Sequence, residues 1–395
     1  MRYLTVVEFC FSDLPSGAAR VAWDVAQAMR RRGHTVTLVC YCPGESSREG
    51  FGTVEGIEVL RFRKAQRPTW HPGRLRAIVD SAAAACRRWL AGRQFDVVHV
   101  HSPNQGLGVC EALGAGPRYI YTAHSPMVQE QDIVWRAQGA AGRLKLLLGR
   151  PLLAGVERRI FAAAAGIQTL SAFTRAVLDR DYGVGQKISV IPHWCAPRQP
   201  LPGRIEARRA LGWPIEQRIF LTVRSLGPRY GIDIAIRALG PLTLESGCHF
   251  YIGGSGSMCG ELEALAAPFR GDEQRIHFIG RLSDDQLQLA YAAADLFILP
   301  TLALECFGLI IAEALCCGCP VLGTDAGAIP EALRQILPDF IVPAGDIVAL
   351  QSRARQFLDG RLAVPDRQAL RDHAARCYDE ERVMKELLRL FGCSA

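Results

Sequence analysis

The chain has 395 residues, 49% hydrophobic and 22% charged, which is too long for one ordinary core and too apolar for a disordered polymer, so two domains are expected. No stretch reaches the ~20 apolar residues of a bilayer span, and Glu8 and Asp13 interrupt the apolar start before a signal core is complete, so the reading is a cytoplasmic protein. Residues 1–200 carry 26 Lys and Arg against 15 Asp and Glu, and the remainder 20 against 24; the first half is therefore expected to meet something anionic, although 42 Arg against 4 Lys also fits a coding bias.

In chain order, Tyr3–Phe9 reads as a strand, and Ala18–Arg32 as a helix with a basic last turn and Gly33 as its stop. His34–Cys40 and Gly56–Phe62 read as strands, Leu75–Ala91 as a helix, and Asp96–Val100 and Tyr119–Ala123 as further strands. This rhythm means a parallel sheet with helices on both faces. Arg136, Arg143, Lys145, Arg150, Arg158 and Arg159 then alternate with Val134, Trp135 and the leucines 144, 146–148, 152 and 153. Two readings stay open for that basic-apolar helix: one that lies on an anionic membrane surface, or an ordinary domain helix with a solvated face.

Four prolines between Pro192 and Pro202 mark an interdomain linker. Beyond it the pattern restarts. Strands are predicted at Ile219–Val223, His249–Ile252, Ile276–Ile279, Leu296–Pro300 and Val321–Thr324, and helices at Ile232–Leu239, Glu261–Ala267, Asp284–Ala293 and Phe307–Cys317. The expected architecture is two successive Rossmann-like, doubly wound domains, residues 1–195 and 196–377. Asp379–Phe391 is an amphipathic helix whose apolar side holds Val383, Leu387, Leu388 and Phe391. It closes the second domain or, as part of a 378–395 tail, packs back on the first. Most of the 14 cysteines sit in apolar stretches, where a free thiol behaves as a small hydrophobe. Cys316-Cys317-Gly318-Cys319 has no second Cys/His pair at zinc spacing, so no metal is expected.

Ligands of open parallel sheets bind beyond the carboxyl ends of the strands, so the chemistry is sought in the loops that follow them. After the first strand comes a turn holding Ser16, Gly17 and Ala18, where backbone N–H groups at a helix start can approach an anion. His124 follows Tyr119–Ala123 in a Ser-Pro turn, placed either to work in a cleft or to cap the strand end. Gly253-Gly254-Ser255-Gly256 suits close approach to a pyrophosphate or ribose, but it is not GxGxxG, and a nicotinamide enzyme is disfavoured. The fourth loop carries most information. Glu305 stands at a helix entrance, where the N–H groups of Phe307, Gly308 and Leu309 are free for phosphate oxygens. Glu313 lies eight residues on, roughly 12 Å along a continuous helix. Two carboxylates so spaced suit the two ends of an extended ligand.

From Glu305-Cys306-Phe307-Gly308 to Glu313-Ala314, with Gly318-Cys319-Pro320-Val321 after it, the chain resembles glycosyltransferase family 4 through its E-x7-E signature. Ser16-Gly17-Ala18-Ala19-Arg20, His34-Thr35-Val36-Thr37, Ser171-Ala172-Phe173-Thr174, Val190-Ile191-Pro192-His193 and Gly253-Gly254-Ser255-Gly256 follow in the family's order. The resemblance implies an α/β protein of GT-B fold, two Rossmann-like domains facing each other across a cleft, the first for the acceptor and the second for the donor. It implies a retaining, metal-independent hexosyltransferase of carbohydrate biosynthesis that uses a UDP- or GDP-linked sugar as co-substrate and needs no cofactor. Its acceptor is a hydroxyl, as of a glycolipid, polysaccharide precursor or metabolite. Peripheral attachment at the inner face of a membrane through the basic N-terminal domain is compatible with it, and no nucleic-acid partner is expected. In such enzymes the first Glu of the signature contacts the donor sugar, the following amides the diphosphate and the second Glu the ribose. The implied donor-binding positions are Gly17, Ser225, Gly254, Ser255, Arg281, Cys306, Phe307, Gly308, Leu309 and Glu313, and the implied catalytic ones His124, Glu305, Arg224 and Arg229.

The last two mark a departure. The family pattern Gly-Arg-Leu-x-Pro-Glu-Lys-Gly reads here Arg224-Ser225-Leu226-Gly227-Pro228-Arg229-Tyr230-Gly231, so Ser225 and Tyr230 replace the basic pair that neutralises the diphosphate. Arg224 and Arg229 are the expected substitutes, Arg229 foremost, because a Pro-to-Gly turn can redirect it. The alternative reading is a donor-binding, catalytically impaired homologue that serves as a partner subunit. His193, where Asn is common, is a smaller departure.

Overall fold

The structure, a computed structural model, describes residues 1–44, 47–67, 73–136, 138–195, 201–271 and 274–393, without the side chains of 140 and 141. The middle of the predicted linker, 196–200, lies outside them. The chain divides into two compact units, Met1–Pro192 with Glu381–Ala395, and His193–Glu380.

The first unit holds β1 (Arg2–Val6), β2 (Thr35–Tyr41), β3 (Gly50–Val54), β4 (Ile57–Phe62), β5 (Val97–Val100), β6 (Arg118–Ala123), β7 (Gly166–Thr169) and β8 (Ile188–Val190) in one sheet. Their order is β3-β4-β2-β1-β5-β6-β7-β8, parallel except for the β3–β4 hairpin. That hairpin turns through Glu55 and Gly56, both at positive φ (45° and 79°), as a tight two-residue turn requires. The predicted helices appear at Gly17–Arg31 and Arg74–Trp89. The segment read as one basic-apolar helix is instead two, Met127–Arg136 and Gly139–Ala163, the second with Pro151 inside it.

The second unit holds β9 (Ile219–Val223), β10 (His249–Gly253), β11 (Ile276–Gly280), β12 (Leu296–Leu299), β13 (Val321–Thr324) and β14 (Ile341–Val342), all parallel, in the order β11-β10-β9-β12-β13-β14. β10, β12 and β13 are buried at every residue, the mark of strands covered on both faces. A buried ion pair fixes the two central strands. Asp295 accepts from the Ile219 N–H at 2.7 Å and from Arg208 Nη2 at 2.6 Å, while Arg208 donates to the carbonyls of Ala293, Ile215 and Gln217. With its guanidinium donating to four different oxygens, this charge is tolerated inside the domain. The beginnings of β9 and β12 are thereby tied together, and the loops at their far ends inherit a fixed spacing. The closing helix Glu380–Leu390 belongs with the first unit: the Phe391 ring lies 5.6 Å from that of Tyr3, and the Leu390 carbonyl accepts from Arg118 at 3.1 Å.

Candidate active site

In the second sheet the strand order reverses between β9 and β12, and a ligand crevice is expected beyond the carboxyl ends of those two strands. The loops that leave there are 224–231 and 300–308, the two segments that sequence reasoning singled out. They touch through backbone. Gly231 takes φ +67°, and a Cβ there would stand 2.0 Å from the Pro300 carbonyl oxygen, so only glycine allows the approach. The Leu302 N–H donates to the Arg229 carbonyl at 2.9 Å.

Arg224 and Arg229 converge on this junction. Arg224 Nη1 donates to Glu305 Oε2 at 2.6 Å and to Thr301 Oγ1 at 2.9 Å, with the two charged side chains only 10% and 12% exposed. Arg229 Nη1 donates to the Leu304 carbonyl at 3.1 Å and Nη2 to the Tyr230 hydroxyl at 2.9 Å. Both guanidinium carbons lie over the Tyr230 ring, at 4.6 and 4.7 Å from its centre. A short 3-10 turn, Pro228–Tyr230, supplies the redirection that an extended segment lacks. Arg224, the less favoured of the two in the sequence, is the one bonded to Glu305. Tyr230, read as a lost lysine, is the platform that gathers both arginines. Ser225 is exposed between them.

Glu305 sits in the loop, not on a helix. Gly308 adopts φ +77°, and the helix runs Leu309–Cys316, so the predicted start at Phe307 is corrected by two residues, and the continuous-helix separation of the two glutamates does not hold. Leu304, just before Glu305, is held at φ +58°, a conformation that costs a branched side chain about 1–3 kcal/mol and is characteristic of functional loops. The clamp is visible. The Ala328 N–H donates to the Glu305 carbonyl at 2.7 Å, and a Cβ at Gly327 (φ +60°) would stand 2.2 Å from that same oxygen. Cys306 is buried, with Sγ 3.8 Å from the Leu304 carbonyl, and Phe307 packs edge-on against Tyr378. Glu313 is half-buried on the helix and accepts from the Tyr291 hydroxyl at 3.4 Å. Burial, with the Glu313 charge adding to it, holds that phenol well above its ordinary value, so it remains a donor.

The glycine loop after β10 lies against the segment that carries Arg224. A Cβ at Gly254 (φ +120°) would lie 1.7 Å from the Arg224 carbonyl oxygen, and one at Gly256 would lie 2.2 Å from that of Leu226. The Leu226 N–H donates to the Ser255 carbonyl at 2.9 Å, and the Gly254 N–H to that of Gly280 at 2.6 Å. These glycines let the 253–256 and 224–226 backbones lie against each other, which holds Arg224 in place. Arg281 follows β11 at an exposed position, and among the described residues no hydrogen bond or ion pair joins it to either glutamate.

In the first unit the strand order reverses between β1 and β5. After β1, Ser16 caps the helix by accepting from the Ala19 N–H at 3.2 Å, and Gly17 opens that helix, exposed and with nothing within 4 Å of a Cβ built on it. His101 leaves β5 and His124 leaves β6, and the parallel register Val100↔Tyr121 brings them together: His101 Nδ1 lies 2.8 Å from His124 Nε2, with the rings stacked at 26°. One nitrogen of that bond must donate and the other accept, so the two imidazoles cannot both be cations in this geometry. His101 was not singled out from the sequence; its signal is the alternating His99-Val100-His101. His99 lies beneath in a buried chain. The Tyr3 hydroxyl donates to His99 Nδ1 (2.6 Å), His99 Nε2 donates to Thr122 Oγ1 (2.6 Å), Thr122 donates to Gln168 Oε1 (2.6 Å), and Gln168 donates to the Ile191 carbonyl (2.9 Å). Burial, with the His124 charge second, pushes His99 down to about 3, so it is neutral, as this chain of donors demands.

On the helices Met127–Arg136 and Gly139–Ala163, Leu144, Leu147, Leu148 and Leu152 are 51–72% exposed beside Arg136, Arg143 and Arg150. Among the described residues no helix is long and apolar enough to cross a membrane, no cluster of His, Cys, Asp or Glu fits a metal ion, and the cysteines are free.

Against known proteins, the family model described as Glycosyltransferase Family 4 matches residues 15–197, and that described as Glycosyl transferases group 1 matches residues 203–376. A phosphatidyl-myo-inositol mannosyltransferase of Mycobacterium leprae is 24% identical over 99% of this chain and 96% of its own. Among solved structures, sucrose-phosphate synthase from Thermosynechococcus elongatus superposes with a TM-score of 0.79 at 18% identity, covering 99% of this chain and 98% of that one. Anabaena HepE in complex with UDP and glucose superposes with a TM-score of 0.74 at 18% identity, covering 99% of each chain.

Proposed function

The chain is a member of glycosyltransferase family 4, a transferase of GT-B fold, and from that premise we propose that it moves a hexosyl group from a UDP- or GDP-sugar to an acceptor hydroxyl with the anomeric configuration retained. The observation that carries the reading is the Arg224–Glu305 pair at the β9/β12 switch point, with Arg229 stacked on the same Tyr230 ring. In the second unit, Glu305 accepts from donor-sugar hydroxyls, the loop before Leu309 faces the diphosphate, and Glu313 accepts from the ribose. Arg224 and Arg229 stabilise the charge that grows on the diphosphate as the bond from its oxygen to the anomeric carbon breaks, which is the task a metal ion performs elsewhere. In the first unit, His124 is the group assigned to the donor sugar. The acceptor hydroxyl gives its oxygen to the anomeric carbon and its proton to the departing diphosphate.

The relatives support the donor class: one is named as a mannosyltransferase, and another was solved with UDP and glucose. The exposed leucines beside arginines on 127–163 support peripheral attachment to an anionic membrane at its cytoplasmic face. The test is incubation with UDP-glucose, UDP-GlcNAc and GDP-mannose while released nucleoside diphosphate is measured. Release with one donor, abolished in the Arg224→Ala/Arg229→Ala double variant, is the expected result. Donor binding without release, unchanged by that double substitution, would favour the impaired partner subunit instead.

A further inference from the structure

The transferase reading uses one histidine of the first unit, yet three stand ring to ring at the carboxyl edge of its sheet. His101 is the first residue beyond β5 and only 5% exposed, and its N–H donates to the Val6 carbonyl at 2.8 Å, which fixes its backbone against the end of β1. Its ring lies 4.1 Å from that of His99. His99 is itself held at both nitrogens, by Tyr3 and Thr122, and flanked by Phe391 at 5.1 Å. Packed on so firm a support, His101 has little freedom to turn. Its Nδ1 is therefore a hydrogen-bonding atom at a set position, 2.8 Å from His124 Nε2.

His124 is supported differently. It is half-buried in the loop after β6, where Pro126 restricts the backbone of Ser125 but not the ring of His124. An imidazole has two side-chain torsions and, when neutral, two tautomers, and a sugar hydroxyl is met correctly only when both the orientation and the protonated nitrogen are right. The bond from His101 fixes the two together. The ring cannot rotate without losing it, and for a neutral His124 the proton stands on Nδ1 if Nε2 accepts and on Nε2 if Nε2 donates. We propose that His101 is a positioning residue for the transfer reaction: through its Nδ1 it holds the His124 imidazole in the one orientation and tautomer with which that ring meets the donor sugar. This inference rests on the transferase reading, in which His124 addresses the sugar, and adds to it the group on which His124 depends.

Two substitutions in the full chain separate positioning from packing. His101→Leu keeps an apolar side chain of similar bulk and has no hydrogen-bonding atom. His101→Asn is smaller but keeps an amide near the place of Nδ1, able to donate or to accept. A packing role is better filled by leucine, a positioning role by asparagine, so the two roles rank the variants in opposite order. UDP-glucose, UDP-GlcNAc and GDP-mannose are offered, and nucleoside diphosphate release is followed with the donor the parent uses. In His101→Leu kcat should fall about 10–100-fold with KM for that donor little changed, and His101→Asn should recover most of the loss. In a His124→Ala background, His101→Leu should cost no further rate, because the ring it positions is gone. Nitrogen-15 spectra of the histidine rings read the same contact without turnover: His124 should report one tautomer in the parent and a mixture in His101→Leu. Equal turnover in the parent and His101→Leu, as great a loss in His101→Asn as in His101→Leu, or His124 ring signals unchanged by His101→Leu overturns the proposal. Ring signals that change as expected in a parent that releases no nucleoside diphosphate from any of the three donors would uphold the grip of His101 on His124 and refute the transferase reading beneath it.

Discussion

Replacing Arg224 by methionine is the sharpest probe of the second unit. The substitution keeps most of the apolar stem and removes a guanidinium that donates to Glu305 at 2.6 Å and to Thr301 at 2.9 Å. With the pair 10% and 12% exposed, the remaining carboxylate is left nearly dry and uncompensated. Breaking a fully buried pair costs about 3–5 kcal/mol, and the residual access of water here brings the expectation to about 2–3 kcal/mol. For a domain of this size each kcal/mol lowers the melting temperature by about 2–4 °C, so the calorimetric transition should fall by roughly 5–10 °C. Glu305→Gln and the double variant close a thermodynamic cycle. Once the carboxylate is gone the methionine strands no charge, so the double variant should be more stable than the sum of the single losses predicts, by about 1–3 kcal/mol. Turnover should not recover with it: loss of one preorganised donor to the leaving diphosphate lowers kcat about 10²–10³-fold, measured as nucleoside diphosphate release. Stabilities that add within about 0.5 kcal/mol would refute the reasoning, because the ion pair would then not be holding the loop.

Three further substitutions follow, two in the second unit and one in the first. Gly254→Ala forces a Cβ to within 1.7 Å of the Arg224 carbonyl oxygen at φ +120°; the loop must shift, and UDP affinity measured by titration should fall about 10-fold or more. Tyr230→Ala removes the ring under both arginines, each such stack contributing about 0.5–2 kcal/mol, so nucleoside diphosphate release should drop about 10–100-fold while Tyr230→Phe retains most of it. His99→Gln addresses pH. His99 is held at about 3 in the folded chain against about 6.5 unfolded, so the unfolded chain takes up the proton first. The stability this neutral histidine contributes is present above pH ~6.5 and is lost as pH falls from there towards 3. Denaturant midpoints at pH 7.5 and 4.5 should therefore lie closer together in the variant than in the parent.

Much of this was legible in the sequence, and the rest was hidden for identifiable reasons. β9 and β12 are made almost wholly of Ile, Leu, Val and Phe, which announces strands buried on both faces, and Asp284–Ala293 begins at a Ser/Gln capping box that is present in the structure. β3 escaped because Gly50-Phe51-Gly52-Thr53-Val54 is an edge strand, mostly exposed, without the apolar alternation that a strand reading needs. The start of the Leu309 helix was misplaced because Gly308 turns left-handed at φ +77°, which an apolar pattern running through it does not reveal; nearby, the Ala328 N–H clamps the Glu305 carbonyl. That same clamp makes Gly327 and Ala328 part of the site, although nothing in their local sequence says so. The convergence of Arg224 and Arg229 required knowing that both stack on the Tyr230 ring. Periodicity places both arginines on one segment but cannot say that a short turn folds that segment over a ring. The His101–His124 bond likewise follows from strand register, a relation between residues 23 apart that no single-segment pattern encodes.

The backbone passes from the first unit to the second after Pro192 and returns after Glu380. The returning helix brings Phe391 within 5.1 Å of the His99 ring, and Arg32 is bonded to Glu381 at 2.5 Å. During synthesis the first sheet therefore emerges long before the piece that covers Tyr3 and His99, and it waits with that apolar surface bare until the whole second unit has left the ribosome. A chain that ends anywhere between the two crossings lacks the helix that covers Tyr3 and His99, and its first sheet keeps that surface exposed.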